Sequence, residues 1–196
     1  MTDTHPRYPL DHLDLRRPPA GPPALLVSHR KGLAFCQVMA RSGHADAVAQ
    51  ALGIVAGSAG ASRRDAFTAL PLAPGQWMLT ANRGRDGRFT AEIAERVHGI
   101  GYASEQSHGR AAFRVSGAAA TELLTRECRL DLDGGAARDG FVGQTVMADV
   151  GVLIHRVDDT PTFDLVVYSG YAEHFWGWLS TAAKPFNATF AEETLE

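Results

Sequence analysis

The sequence predicts an α+β fold, made mostly of antiparallel sheets with packed helices and arranged as two β/α halves. Stretches typical of strands and of helices alternate along the chain, the links between them are short, and a hairpin signal closes the last part of the sheet. Parallel strands need long crossover connections, whereas antiparallel strands accept short turns. The links and the hairpin therefore favour an antiparallel α+β arrangement over a doubly wound one.

The chain divides into a body and two flanking segments. Residues 1–24 contain the stretch RRPPAGPP, whose prolines predict an extended arm, with a disordered tail and an arm laid on a partner surface as the two alternatives. Residues 25–184 are predicted to form one domain, long enough to bury a core without disulfides. Residues 185–196 are predicted to be a C-terminal tail.

The first half of the body predicts two strands and two helices. The apolar run GLAFCQVMA predicts a buried strand, and SGHADAVAQALG predicts a helix that is capped by Ser42 and ended by Gly53. Residues 53–71 are rich in glycine, alanine and serine and predict a loop. The stretch GQWMLTA is the second strand, and FTAEIAERVHG is an amphipathic helix.

The second half repeats this plan. Two short strands flank Gly109, the stretch AAATELLTREC predicts a helix, and LDLDGG closes a short strand on a turn. The alternating stretch 145–157 is predicted as one strand that meets residues 163–168 across DDTPT in a hairpin. A last helix is predicted over residues 169–183.

Composition and charge limit the classes of function that are compatible with the sequence. The formal net charge is −3 and the basic residues are scattered, which argues against a nucleic-acid surface. The two cysteines, Cys36 and Cys128, are far apart and form no CxxC pair, which fits a reducing compartment. The N-terminal stretch lacks the apolar segment of a secretory signal, and no run is long enough for a transmembrane helix. We therefore expect a soluble cytoplasmic protein.

The pair Ser107–His108 is the sequence feature that most resembles catalytic machinery. A nucleophile and its base must lie within hydrogen-bond distance, but adjacent side chains on a strand point to opposite faces. The G-x-S-x-G turn of hydrolases is absent from the sequence. Arg110 beside Gly109 is compatible with an anion-binding nest, although a bend with the arginine at its rim is the preferred interpretation.

Metal and cofactor motifs are also missing from the sequence. The eight histidines show no H-x-H, H-x-x-x-H or His/Cys spacing suited to a metal, and neither a G-x-G-x-x-G fingerprint nor a Walker A stretch occurs. We expect no catalytic, cofactor-binding or metal-binding residue in this chain.

The last predicted helix carries an apolar stripe at helical spacing, formed by Tyr171, Phe175, Trp178, Leu179 and Ala182. Trp176 lies about 100° from the centre of that stripe. Because tryptophan is enriched at binding hot spots, Trp176 is a candidate partner contact, with a broad buried helix face as the alternative.

Several stretches together resemble the gamma subunit of heterotetrameric sarcosine oxidase. The segment SEQSHGRAAFRVSGAAATELLTRECRLDL is similar to that family's signature, and LAPGQWMLT is similar to its proline-glycine-x-tryptophan strand. The stretch FVGQTVMADVGVLIHRVDDTPTFDLVVYSGYAEHFWGWLSTAA resembles its C-terminal hairpin and helix. The sequence departs from the family at VVYSG, where the family usually has an arginine before the last helix.

The resemblance implies a fold like the folate-binding aminomethyltransferase domains and a non-catalytic role in an oxidoreductase. Such a complex demethylates sarcosine to glycine with oxygen, and it yields hydrogen peroxide and methylenetetrahydrofolate or formaldehyde. FAD, FMN, NAD and tetrahydrofolate are then expected in the alpha and beta subunits and zinc in the delta subunit, and these three subunits are the expected partners.

The predicted partner contacts are Gln106, His108, Arg110 and Trp176. The alternative function is a stand-alone folate-binding protein of the aminomethyltransferase or iron–sulfur maintenance type. Those maintenance proteins carry a lysine-glycine-cysteine motif, whereas the comparable stretch here is DGFVGQT, without a cysteine. A folate domain also needs a carboxylate placed for the pterin, and the sequence alone nominates none.

Overall fold

The computed structural model describes residues 8–16, 23–82, 87–134 and 137–195. In chain order the strands and helices are β1 (Leu26–Lys31), β2 (Leu33–Ala40), α1 (Ala45–Leu52), β3 (Ser62–Arg63), β4 (Thr68–Ala73), β5 (Gln76–Asn82), α2 (Arg88–Arg96), β6 (Gly101–Glu105), β7 (Arg110–Ser116), α3 (Ala120–Thr125), β8 (Val142–Met147), β9 (Val150–Asp158), β10 (Thr162–Tyr168), α4 (Ala172–Ala182) and β11 (Thr189–Thr194). Short 3-10 turns at Ser169–Tyr171 and Lys184–Phe186 precede and follow α4.

The strands form two sheets. Sheet A has six strands in the order β11-β1-β7-β10-β9-β8, and sheet B has five in the order β3-β4-β5-β2-β6. Neighbouring strands are antiparallel except for β1 and β11, which are parallel. The prediction of a mostly antiparallel α+β fold is therefore confirmed.

The two sheets face each other and carry helices on their outer faces. Strand residues alternate between faces, so that Phe113 of β7 packs outward with α4 while its neighbour Ala112 packs between the sheets. On sheet B, Cys36 of β2 lies in the core under α1 and α2, and Phe35 lies between the sheets. Because both faces of the central strands are covered, these strands have nearly continuous apolar sequences.

The small core between the sheets, called here the inter-sheet core, consists of Leu33, Phe35, Leu70, Met78, Ala112, Leu153 and Val166. It is smaller than the cores under the helices and lies in the middle of the interface between the sheets. On both sides of it the sheets stay apart, and the space that they leave holds the candidate site described below.

The chain crosses from sheet A to sheet B at Gly32. This residue is the only one between β1 of sheet A and β2 of sheet B, and its φ of 88° lies in the left-handed region. A Cβ at this position would clash with the carbonyl oxygen of Leu195. Only glycine meets both requirements without strain.

The stretch 145–157 was predicted as one strand, and this prediction is wrong. The chain reverses at Ala148 and Asp149, which have φ angles of 50° and 62°, and Met147 pairs with Val150. A two-residue turn with both φ angles positive is the tight hairpin geometry, which usually contains asparagine or glycine. Because alanine is unusual at such a position and the apolar alternation continues on both sides, the sequence pattern did not reveal the turn.

The predicted loop 53–71 and the predicted C-terminal tail both contain strands. Residues 68–73 form β4, which pairs with β5, and Thr189–Thr194 form β11, which pairs with β1. By contrast, the described part of LDLDGG forms no strand. Helix α1 begins at Ala45 after His44, without a side-chain cap, so Ser42 does not cap it.

The predicted N-terminal arm is partly folded onto the body. Leu10 and Leu15 are buried in the core of sheet A. The Tyr8 hydroxyl accepts a hydrogen bond from the Gly32 N–H at 2.9 Å, and Lys31 Nζ lies 2.7 Å from an Asp11 carboxylate oxygen. Residues 8–16 thus pack on the chain itself, whereas most of the RRPPAGPP stretch lies outside the described residues.

Among the residues that the structure describes, no helix combines the length and the apolar character needed to cross a membrane.

Candidate functional site

The stretch 105–110 carries the chain from sheet B to sheet A. Strand β6 ends at Glu105 in sheet B, and β7 begins at Arg110 in sheet A. The Gly109 N–H donates to the Gln106 carbonyl at 3.0 Å and closes the turn. The bend predicted at Gly109 is present, but the two strands that it joins belong to different sheets and do not pair.

Ser107 holds this turn together. Its side chain is fully buried, and its Oγ accepts a hydrogen bond from the Phe35 N–H at 2.9 Å. The hydroxyl and the N–H of Ser107 both donate to Glu105 Oε1, and the Thr90 hydroxyl donates to Glu105 Oε2 at 2.7 Å. Ser107 is therefore a structural residue that ties the turn to β2. It lies in the turn and not on a strand, so the expected divergence of adjacent strand side chains does not apply here, and its exclusion as a nucleophile stays a prediction.

Glu105 is ionised in this network. Burial alone would raise the pKa of its carboxyl group, but hydrogen bonds from Ser107, Thr90 and the Gln106 backbone hold the pKa below its usual value. A carboxylate that accepts several hydrogen bonds fixes the end of β6 beside α2, because each donor has a defined position.

Two of the predicted contact residues, Gln106 and His108, lie on the outside of the turn. His108 is exposed, and Gln106 is half-buried with its side-chain amide 3.3 Å from Ser104 Oγ. The Gln106 N–H donates to the Phe35 carbonyl at 2.8 Å, which anchors the backbone below these side chains. Their role in contacting a partner stays a prediction.

Arg110 lies beside this turn on the first position of β7. It pairs in register with Tyr168 of β10, and its guanidinium stacks on the Tyr168 ring at 3.8 Å from the ring centroid. Within the described residues its buried Nε has no hydrogen-bond partner, and its guanidinium pairs with no carboxylate. Tyr168 belongs to the VVYSG stretch that departs from the family pattern and is 53% exposed.

Trp176 is buried, so the structure favours the alternative of a broad buried helix face. It is 6% exposed, and its ring stacks on Phe113 at a centroid distance of 5.8 Å and meets the edge of Phe190 at 5.7 Å. Phe190 belongs to β11, in the segment that was predicted to be a tail. The extra strand widens sheet A and buries the tryptophan that the apolar stripe alone would leave outside.

On one side of the inter-sheet core the sheets enclose a groove of about 340 Å³. We call it the amide groove, because glutamine side chains from both sheets line it: Gln37, Gln76 and Gln144. Its apolar lining includes Met78, Leu153 and Val166, and Arg110 and Tyr168 stand at its end next to the 105–110 turn.

The opposite side of the inter-sheet core opens into a cleft of about 530 Å³, called here the charged cleft. Its charged and titratable lining includes Arg30, Arg63, Arg114, His155 and Asp164. The strands that line it are largely those of the amide groove, met further along their length: β5 contributes Gln76 to the groove and Thr80 and Asn82 to the cleft.

Charged side chains that line the cleft form ion pairs with one another. Asp164 accepts hydrogen bonds from Arg114 Nε at 2.8 Å, from a terminal Arg114 nitrogen at 2.9 Å and from Arg30 at 2.9 Å. Burial would lower the pKa of the Arg114 guanidinium, but its contacts with Asp164 raise it. Glu193 of β11 lies 3.5 Å from Arg30 Nε, so the last strand also takes part.

His155 lies in this cleft as a neutral imidazole. It is 6% exposed, and burial, together with the positive charges of Arg63 and Arg114, lowers its pKa to about 4 against the pull of Asp164. Its Nε2 is buried without a hydrogen-bond partner among the described residues. The imidazole therefore stays uncharged at neutral pH.

Metal-binding and thiol chemistry find little support in the described residues. These residues contain no group of three or more His, Cys, Asp or Glu side chains placed to hold a metal ion. Both cysteines are free and buried, and burial raises the pKa of the Cys36 thiol to about 11. A thiol with such a pKa is protonated at neutral pH and reacts slowly.

Sequence reasoning found Arg110 but missed the glutamines of the amide groove. Gln37 interrupts the apolar run CQVM of β2, and Gln76 and Gln144 stand beside apolar residues in GQWM of β5 and GQTVM of β8. Combined with the period of two residues, this interruption was a usable sign that the inner face of these strands is not fully packed.

Comparisons with known proteins agree with this description. The family model "Sarcosine oxidase, gamma subunit family" matches residues 38–185. A chain of the heterotetrameric sarcosine oxidase from Corynebacterium sp. U-96, solved with pyrrole 2-carboxylate, has a TM-score of 0.81 at 21% identity, with 94% of this chain and 97% of that chain covered.

The aminomethyltransferase T of the glycine cleavage system from Bartonella henselae has the same fold over part of its length. The TM-score is 0.63 at 15% identity, and the match covers 87% of this chain but 48% of that protein. No curated protein matches the sequence of this chain.

Proposed function

Because this chain belongs to the sarcosine oxidase gamma subunit family, we propose that it is a non-catalytic subunit of a heterotetrameric sarcosine oxidase. In this role it stabilises and positions the alpha, beta and delta subunits, which carry the oxidative demethylation of sarcosine to glycine. The observation that carries the proposal is the family match, which extends over residues 38–185 and includes β5, the 105–110 turn, β8 and α4.

The matched solved structure supports the same proposal. The chain aligned with this protein is part of a complex described as heterotetrameric sarcosine oxidase, and the alignment covers nearly all of both chains. A match over the full length of both chains is typical of equivalent subunits rather than of a shared domain inside unrelated proteins.

We propose further that the cofactors of the complex reside in its other subunits: FAD, FMN, NAD and tetrahydrofolate in alpha and beta, and zinc in delta. The engaged hydroxyl of Ser107 and the buried thiol of Cys36 support this division, since neither side chain is placed for chemistry. We also propose that the complex works in the cytoplasm.

The stand-alone folate-binding alternative is not favoured. This chain corresponds to about half the length of the aminomethyltransferase that it resembles. A pterin needs a carboxylate that is available for hydrogen bonds, and the best-buried carboxylate between the sheets, Asp164, is already engaged by Arg30 and Arg114.

The test is to purify the tagged chain from its native cells and to record the mass and the absorption spectrum of the eluate. We expect co-purification of large subunits with flavin absorption, and a colourless protein when the chain is expressed alone. Cell fractionation of the same source would locate the complex. A lone monomer that binds tetrahydrofolate would overturn the proposal and restore the folate-binding alternative.

A further inference from the structure

The amide groove contains hydrogen-bonding groups that the described residues do not satisfy. Gln144 Nε2 donates to the Leu72 carbonyl at 2.7 Å and bridges the two sheets. The side-chain amides of Gln37 and Gln76 make no hydrogen bond within the described residues, although each offers two donors and one acceptor. A groove whose mixed lining combines apolar side chains with unused amides can hydrogen-bond to a peptide backbone and contact its side chains.

Arg110 supplies a positive charge at the end of this groove. Its side chain is half-buried, and within the described part of the chain its guanidinium contacts the face of Tyr168 and no carboxylate. A guanidinium that is partly withdrawn from water is stabilised most by a carboxylate, which accepts two parallel hydrogen bonds from it. The positive charge of Arg110 therefore favours a ligand with an acidic group.

The surface continues beyond the groove in a way that suits a polypeptide. Tyr168 and Tyr171 are 53% and 56% exposed, and the 105–110 turn stands next to them because the Ser169 N–H donates to the Gly109 carbonyl at 2.9 Å. Exposed tyrosines beside an arginine are typical of protein interfaces. A small carboxylate would pair with Arg110 but would leave much of the groove and Tyr171 uncovered.

We propose that the amide groove binds an extended segment of a partner subunit through an aspartate or glutamate side chain. The carboxylate pairs with Arg110, the segment's backbone amides pair with Gln37 and Gln76, and its neighbouring residues cover Tyr168 and Tyr171. This inference rests on the proposed function, since the partner is another subunit of the same complex.

The test uses the complete complex, co-expressed with a tagged form of this chain and purified by the tag. Arg110→Gln removes the charge and keeps a polar side chain. Arg41→Gln is the matched control, because Arg41 also stacks on a tyrosine, Tyr102 of the edge strand β6, at 5.1 Å from the ring centroid, but does not line the groove. Mass photometry over a dilution series gives the dissociation constant of this chain from the complex.

We expect Arg110→Gln to weaken the association on the order of 10- to 100-fold, because it removes one partner of a buried charge pair. Arg41→Gln is expected to leave the association unchanged. If the wild-type complex assembles and both variants dissociate alike, the inference is overturned and the proposed function stands. If the wild-type chain forms no complex, the proposed function itself fails.

A second measurement does not depend on the stability of the arginine variant. The photo-cross-linking residue p-benzoylphenylalanine replaces Gln76 in the groove or, as a control, Arg63 in the charged cleft on the opposite side of the inter-sheet core. After irradiation of the intact complex, mass spectrometry is expected to identify a partner segment that contains an acidic residue attached at position 76 only. Labelling of no partner from position 76 in an intact complex would overturn the inference.

Discussion

The charged cleft and the amide groove open between the same two sheets, on either side of the same inter-sheet core, and differ in how their charges are used. In the cleft, Arg30 and Arg114 share the carboxylate of Asp164, so the charges belong to the fold. In the groove, Arg110 meets a tyrosine ring and, within the described residues, no acid. In the larger opening the two arginines are thus already paired within the chain, whereas in the smaller one the guanidinium of Arg110 is available to a ligand.

This comparison shows why volume alone is a poor guide to a binding site. A polar cleft is attractive for a ligand only if its groups gain hydrogen bonds or charge pairs that they lack. In the charged cleft Arg30 and Arg114 already pair with Asp164, and His155 stays neutral.

Asp164→Asn is expected to have the largest effect on stability. The change leaves two arginines without their shared carboxylate in a setting where the Arg30 side chain is 9% exposed. Breaking a buried ion pair by removing one partner costs about 3–5 kcal/mol in the free energy of unfolding. Urea denaturation measures it, and Asp139→Asn is the control, because the Asp139–Arg63 pair is half exposed. A loss below about 1 kcal/mol would show that the cleft network is dispensable.

The pH dependence of stability is expected to follow His155. Its folded pKa of about 4 lies below the ordinary value of 6.5, so the unfolded state binds the proton first as the pH falls. The free energy of unfolding is full above pH 6.5 and decreases toward pH 4 by up to about 3 kcal/mol. Urea denaturation at several pH values should show that His155→Gln removes this part of the slope. An unchanged slope in the variant would assign it to other groups.

Ser107→Ala is expected to lower the free energy of unfolding by about 1–3 kcal/mol. The change leaves the Phe35 N–H without its acceptor and removes one of the two hydrogen bonds to Glu105 Oε1, at the point where the chain changes sheets. Thermal denaturation of the isolated chain measures the loss. Ser104→Ala provides the control at an exposed serine nearby and should change little. Equal melting temperatures for both variants would contradict the structural role of Ser107.

Arg110→Gln is expected to have the smallest effect on the isolated chain. Loss of the stacking contact with Tyr168 accounts for about 0.5–1 kcal/mol in the free energy of unfolding. Urea denaturation of the isolated variant, compared with Asp164→Asn, tests the contrast between groove and cleft directly. A loss as large as that of Asp164→Asn would mean that Arg110, too, belongs to the fold.

The sequence was sufficient for the fold class, the hairpin between β9 and β10 and the family, because each leaves a local pattern of several residues. It failed where the decisive contact is distant. Strand β11 forms because β1 offers it an edge, and Trp176 is buried because β11 brings Phe190. Neither event has a sign in the residues around it.

The candidate site was predictable only in part for the same reason. Arg110 was singled out beside Gly109, but its isolation from carboxylates depends on which acids the fold brings near it. Gln37, Gln76 and Gln144 come from β2, β5 and β8, and only the stacking of the two sheets places them around one groove. The spacing of these glutamines along the chain does not indicate that they line the same groove.

The pairing of β1 with β11 has a consequence for the order of folding. Leu26 lies opposite Thr189 in the sheet, and Lys31 contacts both Asp11 and Glu192. Contacts between residues so far apart in sequence form slowly, because a long loop must close before they bring any gain. During synthesis, the β1–β11 edge of sheet A therefore forms only after β11 has been made, whereas all strands of sheet B lie between residues 33 and 105 and are made earlier. Sheet A is expected to reach its final form by a late pairing of β11 with β1.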